Sequence, residues 1–202
     1  MQDFKLQIAQ IISGENEAHK YVDHPTIFHE MLQSDLPPEE KSFERLFQEA
    51  QIIIGGGILT TSWSLTVAGF HIVDKPEVFR KLRDELVQAI PDPAVPLDFV
   101  KLERLPYLSA CIREGIRLAY GTTSRMPRLA HKALHYKEWT IPPRTPVSMT
   151  IVDVNHDEEV FPNSHEFIPE RWLDNPKTKR GDSLDRYFIG FSKGTRSCIG
   201  VK

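Results

Sequence analysis

Apolar positions recur at helical spacing through the first half of the chain and alternate in short runs through part of the second, with proline and glycine as punctuation. Phe4, Ile8, Ile11 and Ile12 mark a helix over 2–13 that Gly14 stops. Pro25-Thr26-Ile27-Phe28 opens a short second helix that ends near Ser34 and Asp35, and Leu36-Pro37-Pro38 breaks the chain. Ser42 is a good N-cap for a long helix over 42–73. At ~1.5 Å per residue it is roughly 45 Å long, so it is expected to cross the middle of the molecule. Asp74-Lys75-Pro76-Glu77 ends it and starts a helix over 76–90, with proline at the first helical position. Pro91 to Pro96 reads as a loop, 98–103 as a short turn, and 106–120 as another helix. Beyond Gly121, Leu134-His135-Tyr136, Trp139-Thr140-Ile141 and Pro146 to Val154 alternate like short strands between proline-rich turns. From His156 to Lys202 the pattern is irregular, and an irregular segment of that length in a packed domain usually wraps something. The fold class is mainly α with a small β region.

Composition narrows the setting. Lys and Arg total 25 against 28 Asp and Glu, a net charge of -3 without the basic excess of a nucleic-acid binder. Forty per cent hydrophobic and 26% charged residues make a globular composition and exclude a disordered chain. Two cysteines, Cys111 and Cys198, are too few for a disulfide framework or a multi-cysteine zinc site. His131 and His135 have no third ligand nearby for zinc. The longest apolar stretch, Ile52 to Leu59, is interrupted by three glycines and falls short of the ~20 residues of a membrane span. The N-terminal MQDFKLQ lacks a charged-then-apolar leader. These features point to a globular protein of a reducing compartment, cytoplasmic if soluble, without a membrane anchor in these 202 residues.

The strongest chemical signal is Phe191-Ser192-Lys193-Gly194-Thr195-Arg196-Ser197-Cys198-Ile199-Gly200. Gly194 supplies a positive φ, and Gly200 removes a side chain just beyond the sulfur. A thiolate presented by such a loop is a soft-metal ligand, and Arg196 can pair with an acidic ligand group. A buried free cysteine beside a flexible loop is the alternative reading of a lone cysteine. The ten-residue spacing resembles the haem-binding signature Phe-x-x-Gly-x-Arg-x-Cys-x-Gly of the cytochrome P450 superfamily and matches it at every fixed position. The resemblance implies that Cys198 ligates the iron of haem b, that Arg196 reaches a propionate, and that Phe191 shields the sulfur.

Three further stretches follow in the order of that family. Glu114-Gly115-Ile116-Arg117 resembles its Glu-x-x-Arg; the i,i+3 spacing lets the charges pair, and by itself reads as an exposed ion pair of about 0.2–0.5 kcal/mol. Phe167-Ile168-Pro169-Glu170-Arg171-Trp172 resembles the segment whose arginine completes a Glu-Arg-Arg network. By resemblance, Glu114, Arg117 and Arg171 are structural and pin the irregular tail that presents Cys198. Arg125 falls where a propionate-binding arginine is expected, with Arg128 a near rival. Gly55, Gly56 and Gly57 cost on the order of 3 kcal/mol in a helix interior. They mark a face cleared for a flat ligand, a local widening, or close helix packing. In the family this is the segment that ends in the threonine assisting oxygen activation, here Thr60; Leu59 stands where an acidic residue is usual and cannot relay a proton.

His24 to Phe28 and Leu36 to Ser42 resemble fungal members of secondary metabolism, notably the trichodiene-oxygenase-like group. The resemblance implies a C-terminal part of the P450 fold, truncated at both ends. Its parts are helices before the I helix over 1–35, the I, J and K helices over 42–73, 76–90 and 106–120, a small β region over 121–155, and a meander with the haem loop over 156–202. Residues 52–61 and 121–127 would line the pocket. The implied activity is monooxygenation of a small lipophilic substrate, with NADPH-derived electrons from a reductase docking near Lys193 and Arg196. Two readings compete: a non-catalytic fragment that does not hold haem stably, and a haem protein that rearranges an oxidised substrate without electrons.

Overall fold

The computed structural model describes residues 2–92, 94 and 98–201. The loop expected over Pro91 to Pro96 lies partly outside the described residues. The chain divides into two units, Met1–Leu59 and Thr60–Lys202, and α3 (Phe43–Asp74) runs through the division.

In the first unit, α1 (Gln2–Ser13), α2 (Ile27–Gln33) and the start of α3 form a small core. Ile8, Leu46 and Ala50 are buried there, with Ile11, Phe28, Met31 and Leu32 packed around them. Gly14 has a φ of +78°, the left-handed stop expected after α1. Ser42 Oγ accepts the Arg45 N–H at 3.4 Å, and the Ser42 carbonyl accepts the Leu46 N–H, so the start of α3 is capped where the sequence indicates.

Two expectations for α3 are not met. It is not a core-crossing helix: Leu46, Phe47 and Ala50 are its buried residues, whereas Ile58, Leu59, Leu65, Phe70 and Val73 are exposed. Nor do the glycines disqualify it as a membrane span, because by length and composition it is long and apolar enough to cross a bilayer. Gly55 to Gly57 remain helical, so they interrupt the run of apolar side chains without interrupting the element. A Cβ on any of the three would meet nothing within 4 Å, so close packing is not their role among the described residues.

The second unit is organised around α6 (Pro106–Ala119), which packs on α4 (Pro76–Ala89). Both begin with proline. No side chain of its own caps α6; instead the Glu85 carboxylate of α4 accepts the Tyr107 and Leu108 N–H groups, each at 2.8 Å. Tyr107, Ala110, Cys111, Glu114 and Leu118 fall on one face of α6 and are buried. Cys111 thus lies in the core with Val78, Leu82, Leu118 and Phe167. The end of α3 approaches α6 so closely that a Cβ on Gly115 would sit 2.5 Å from the Ala68 Cβ. At the C-terminus of α6, Tyr120 takes φ +61° and Gly121 φ +56°, and Trp63 Nε1 donates to the freed Ala119 carbonyl at 3.0 Å.

After the short helix α5 (Phe99–Glu103) and α6, the chain forms two antiparallel pairs. β1 (Arg128–Leu129) pairs with β4 (Pro146–Val147), and β2 (Leu134–Tyr136) with β3 (Trp139–Ile141). The strand expected over Pro146 to Val154 stops at Val147, and Ile151–Asn155 is the helix α7. A capping box converts the alternation into a helix: Thr150 Oγ1 accepts the Asp153 N–H at 3.1 Å, and Asp153 accepts the Thr150 N–H at 3.3 Å. Among its described residues the irregular tail contains four 3₁₀ turns, Pro169–Trp172, Leu184–Tyr187, Gly194–Arg196 and Ile199–Val201.

Candidate functional site

The deepest polar feature of the second unit is Glu114, fully buried on α6. Its Oε1 accepts from Arg117 Nη2 at 2.8 Å, Arg171 Nε at 2.9 Å and the Ile168 N–H at 3.0 Å. Its Oε2 accepts from Arg117 Nε at 2.9 Å and Trp172 Nε1 at 2.8 Å. Burial alone pushes the carboxyl up; hydrogen bonding and charge from Arg117, then Arg171 and the Ile168 N–H, outweigh it and hold Glu114 below the usual carboxylate range.

Arg117, 1% exposed, spends its remaining donors on the tail. It reaches the carbonyls of Asn155 at 2.8 Å, Ser164 at 2.7 Å and Glu166 at 3.1 Å. Asn155 Nδ2 returns a bond to the Arg117 carbonyl at 2.7 Å. Arg171 reaches the Pro162 carbonyl at 3.1 Å. Both guanidinium groups lie over the buried Phe161 ring, at 5.1 and 6.0 Å from its centroid. The ion pair that i,i+3 spacing alone reads as exposed is therefore the buried knot that fastens residues 155–172 to α6. Local spacing gives no signal of burial, and nothing local marks Asn155 as a partner.

An aromatic series leads from this knot to the cysteine loop. Trp172 lies against Phe161 at 5.8 Å and meets Phe188 edge-on at 5.6 Å; Phe188 meets Phe191 edge-on at 6.2 Å. The Phe191 carbonyl accepts the Cys198 N–H at 2.8 Å, closing the loop on itself. Gly190 sits against α6, where a Cβ would fall 2.4 Å from Ile116 Cγ2. Gly194 has φ +76°, and Ser192, not a glycine, takes φ +60°. Cys198 is exposed, as are Gly194, Arg196 and Gly200, while Phe191 is partly buried. The Cys198 sulfur lies 3.8 Å from where a Cβ on Gly200 would be. The other cysteine differs in kind: burial, then the charges of Glu170, Glu85 and Glu114, push the Cys111 thiol up to about 12.

A cleft of about 480 Å³ opens beside this loop, lined by Ser192, Thr122, Ser124, Met126, Arg128 and Met149, among others. Of the two arginines weighed for a propionate, both exposed, Arg128 lines it; Arg125 lies near Asp153, whose carboxyl is held down first by its hydrogen bonds with Thr150 and only secondarily by the Arg125 charge. Thr60 is an exposed residue of α3 whose carbonyl accepts the Ser64 hydroxyl at 2.9 Å. The structure thus brings Glu114, Arg117 and Arg171 together and joins them to Phe191 and Cys198 through Trp172 and Phe188. Phe188 carries no sequence pattern that marks it, whereas Trp172 reads as a core or loop anchor.

The sequence has clear relatives. The family profile described as Cytochrome P450 matches residues 3–202. The chain is 52% identical over 180 residues to the cytochrome P450 monooxygenase sdnE of Sordaria araneosa, covering 88% of this chain and 35% of that protein. It is 44% identical to the cytochrome P450 monooxygenase astB of Talaromyces wortmannii, over 99% of this chain and 41% of that one. It is 42% identical to the tryptophan 6-hydroxylase fscE of Fusarium equiseti, over 97% of this chain and 38% of that one. The chain spans about 35–41% of the length of these relatives.

Proposed function

We propose a function from one premise: the chain belongs to the cytochrome P450 family. It carries the cysteine-bearing part of a haem-thiolate monooxygenase that inserts one oxygen atom of O₂ into a small lipophilic molecule of fungal secondary metabolism. One observation carries this reading. Cys198 is exposed on a loop whose backbone is closed by the Cys198 N–H to Phe191 carbonyl bond and backed by the Glu114 knot.

These residues fit haem b. The Cys198 thiol is accessible, the glycines at 194 and 200 leave the approach open, and a cleft of about 480 Å³ adjoins the loop at Ser192. When bound, the haem supplies oxygen activation, which the thiolate favours by pushing electron density toward the iron. Cys198 holds the iron, Phe191 covers the sulfur, Arg196 pairs with one propionate, and Arg125 or Arg128 with the other. Glu114, Arg117 and Arg171 keep the loop in register. The Thr60 hydroxyl holds a proton for oxygen activation, and the leucine before it contributes none. Electrons come from NADPH through a reductase that docks on the face bearing Lys193 and Arg196. The relative named for tryptophan hydroxylation supports a small substrate with an oxidisable apolar ring.

The test is an equilibrium titration with haem b, followed by turnover with and without NADPH and a reductase. One haem per chain and turnover only with the reductase support the reading. Haem binding with reductase-independent turnover favours rearrangement of an oxidised substrate. A chain that binds no haem favours the non-catalytic reading, whose motivating observation is the exposed apolar face of α3.

A further inference from the structure

Arg113 precedes Glu114 on α6, and its side chain is 27% exposed. Its guanidinium carbon lies 4.2 Å from the centroid of the Trp172 ring and 5.0 Å from that of Phe188. The same group pairs with the carboxylate of Asp185, in the 3₁₀ turn Leu184–Tyr187. One cation therefore holds two aromatic rings and an acidic turn together, a combination that a planar guanidinium makes and a point charge does not.

What it holds is the approach to the cysteine. Phe188 meets Phe191 edge-on, and the Phe191 carbonyl accepts the Cys198 N–H. The Asp185 carbonyl accepts Lys193 Nζ at 3.2 Å, a second tie into the loop. Gly190, pressed against Ile116 of α6, fixes the segment between these ties. We propose that Arg113 is the positioning residue of the Cys198 loop, clamping Trp172, Phe188 and Asp185 so that the loop is held in its closed form before any cofactor binds. The inference deepens the haem-thiolate reading and rests on it for its functional meaning, but the clamp itself is a property of the polypeptide.

The experiment therefore uses the full chain without haem. Amide hydrogen exchange is followed by mass spectrometry for wild type, Arg113→Met, Arg113→Lys and Phe188→Leu. Arg113→Met removes the cation and the ion pair while leaving a flexible apolar side chain over Trp172. The expected result is exchange roughly tenfold faster across 188–198, including the Cys198 amide, corresponding to about 1.4 kcal/mol of local opening. Exchange across 107–112 of α6 stays at the wild-type rate. Arg113→Lys restores the ion pair without the planar stack and falls between the two. Phe188→Leu, which leaves Arg113 and Glu114 intact, accelerates the same amides. Unchanged exchange in all three variants, or acceleration spread equally over α6, overturns the proposal. A parallel haem titration separates the two claims: wild type without haem affinity removes the haem-thiolate reading and leaves the exchange result to decide the clamp.

Discussion

Replacing Arg117 by methionine removes a buried cation while keeping an extended apolar stem in its place. The change deletes two bonds to Glu114 and the bonds to the carbonyls of Asn155, Ser164 and Glu166. Breaking a buried ion pair from one side costs about 3–5 kcal/mol. Each buried carbonyl left without a donor adds about 1–3 kcal/mol before relaxation. A loss of at least about 4 kcal/mol is expected, a large part of the roughly 5–15 kcal/mol that stabilises a domain. With a urea slope of about 2 kcal/mol per molar, the midpoint falls by about 2 M. The assay is equilibrium urea unfolding followed by tryptophan fluorescence, since Trp172 donates to Glu114. Combining Glu114→Gln with Arg117→Met is expected to cost less than the sum of the two single changes, by more than about 1 kcal/mol. A single-variant loss below about 1 kcal/mol, the range of exposed pairs, together with additive behaviour, would refute the buried-knot account. The acid limb gives an independent check. Because Glu114 is held below its ordinary value of about 4.3, its stabilisation is complete above that pH and is lost as pH falls through the lower folded value. Without Arg117 the loss begins at a higher pH.

Three further outcomes are expected. A maleimide labels one thiol rapidly in the native chain, Cys198, while Cys111 reacts only on unfolding; rapid loss of both thiols would contradict the burial of Cys111. Gly115→Ala drives a Cβ against the Ala68 Cβ and costs about 1–3 kcal/mol in thermal or urea unfolding, and adding Ala68→Gly recovers much of it; an unchanged midpoint for Gly115→Ala would remove the close approach of the two helices. In haem titrations Arg128→Ala weakens binding more than Arg125→Ala, because Arg128 lines the cleft; the opposite order would return the propionate role to Arg125.

Much of the helical frame is legible in the sequence because its boundaries are chemical. Gly14, Ser42, Pro76 and Pro106 stop, cap or start elements through φ preference or a missing donor, and the structure uses each of them locally. The alternation from Pro146 to Val154 misleads because the Thr150–Asp153 capping box, also readable in the sequence, favours a helix more strongly than period-two patterning favours a strand. The burial of Glu114 is not legible, since i,i+3 spacing describes exposed and buried pairs alike. Its depth comes from Asn155, Ser164 and Trp172, which lie 38 or more residues away. The exposure of Ile58, Leu59 and Phe70 has the same origin: apolarity predicts that a face seeks cover, not which segment provides it. At the candidate site, spacing singles out Cys198 and its glycines, whereas Phe188 and Arg113 become visible only once the tail has folded onto α6.

In the proposed reading Cys198 gives its thiolate to the iron of haem. The direct measurement is the absorption spectrum of the haem-loaded, reduced chain under carbon monoxide, compared with Cys198→Ser. A thiolate ligand gives the red-shifted Soret band in the wild-type chain, and the variant loses it. An identical spectrum for the two proteins, or a wild-type chain that remains colourless with excess haem, would contradict that reading.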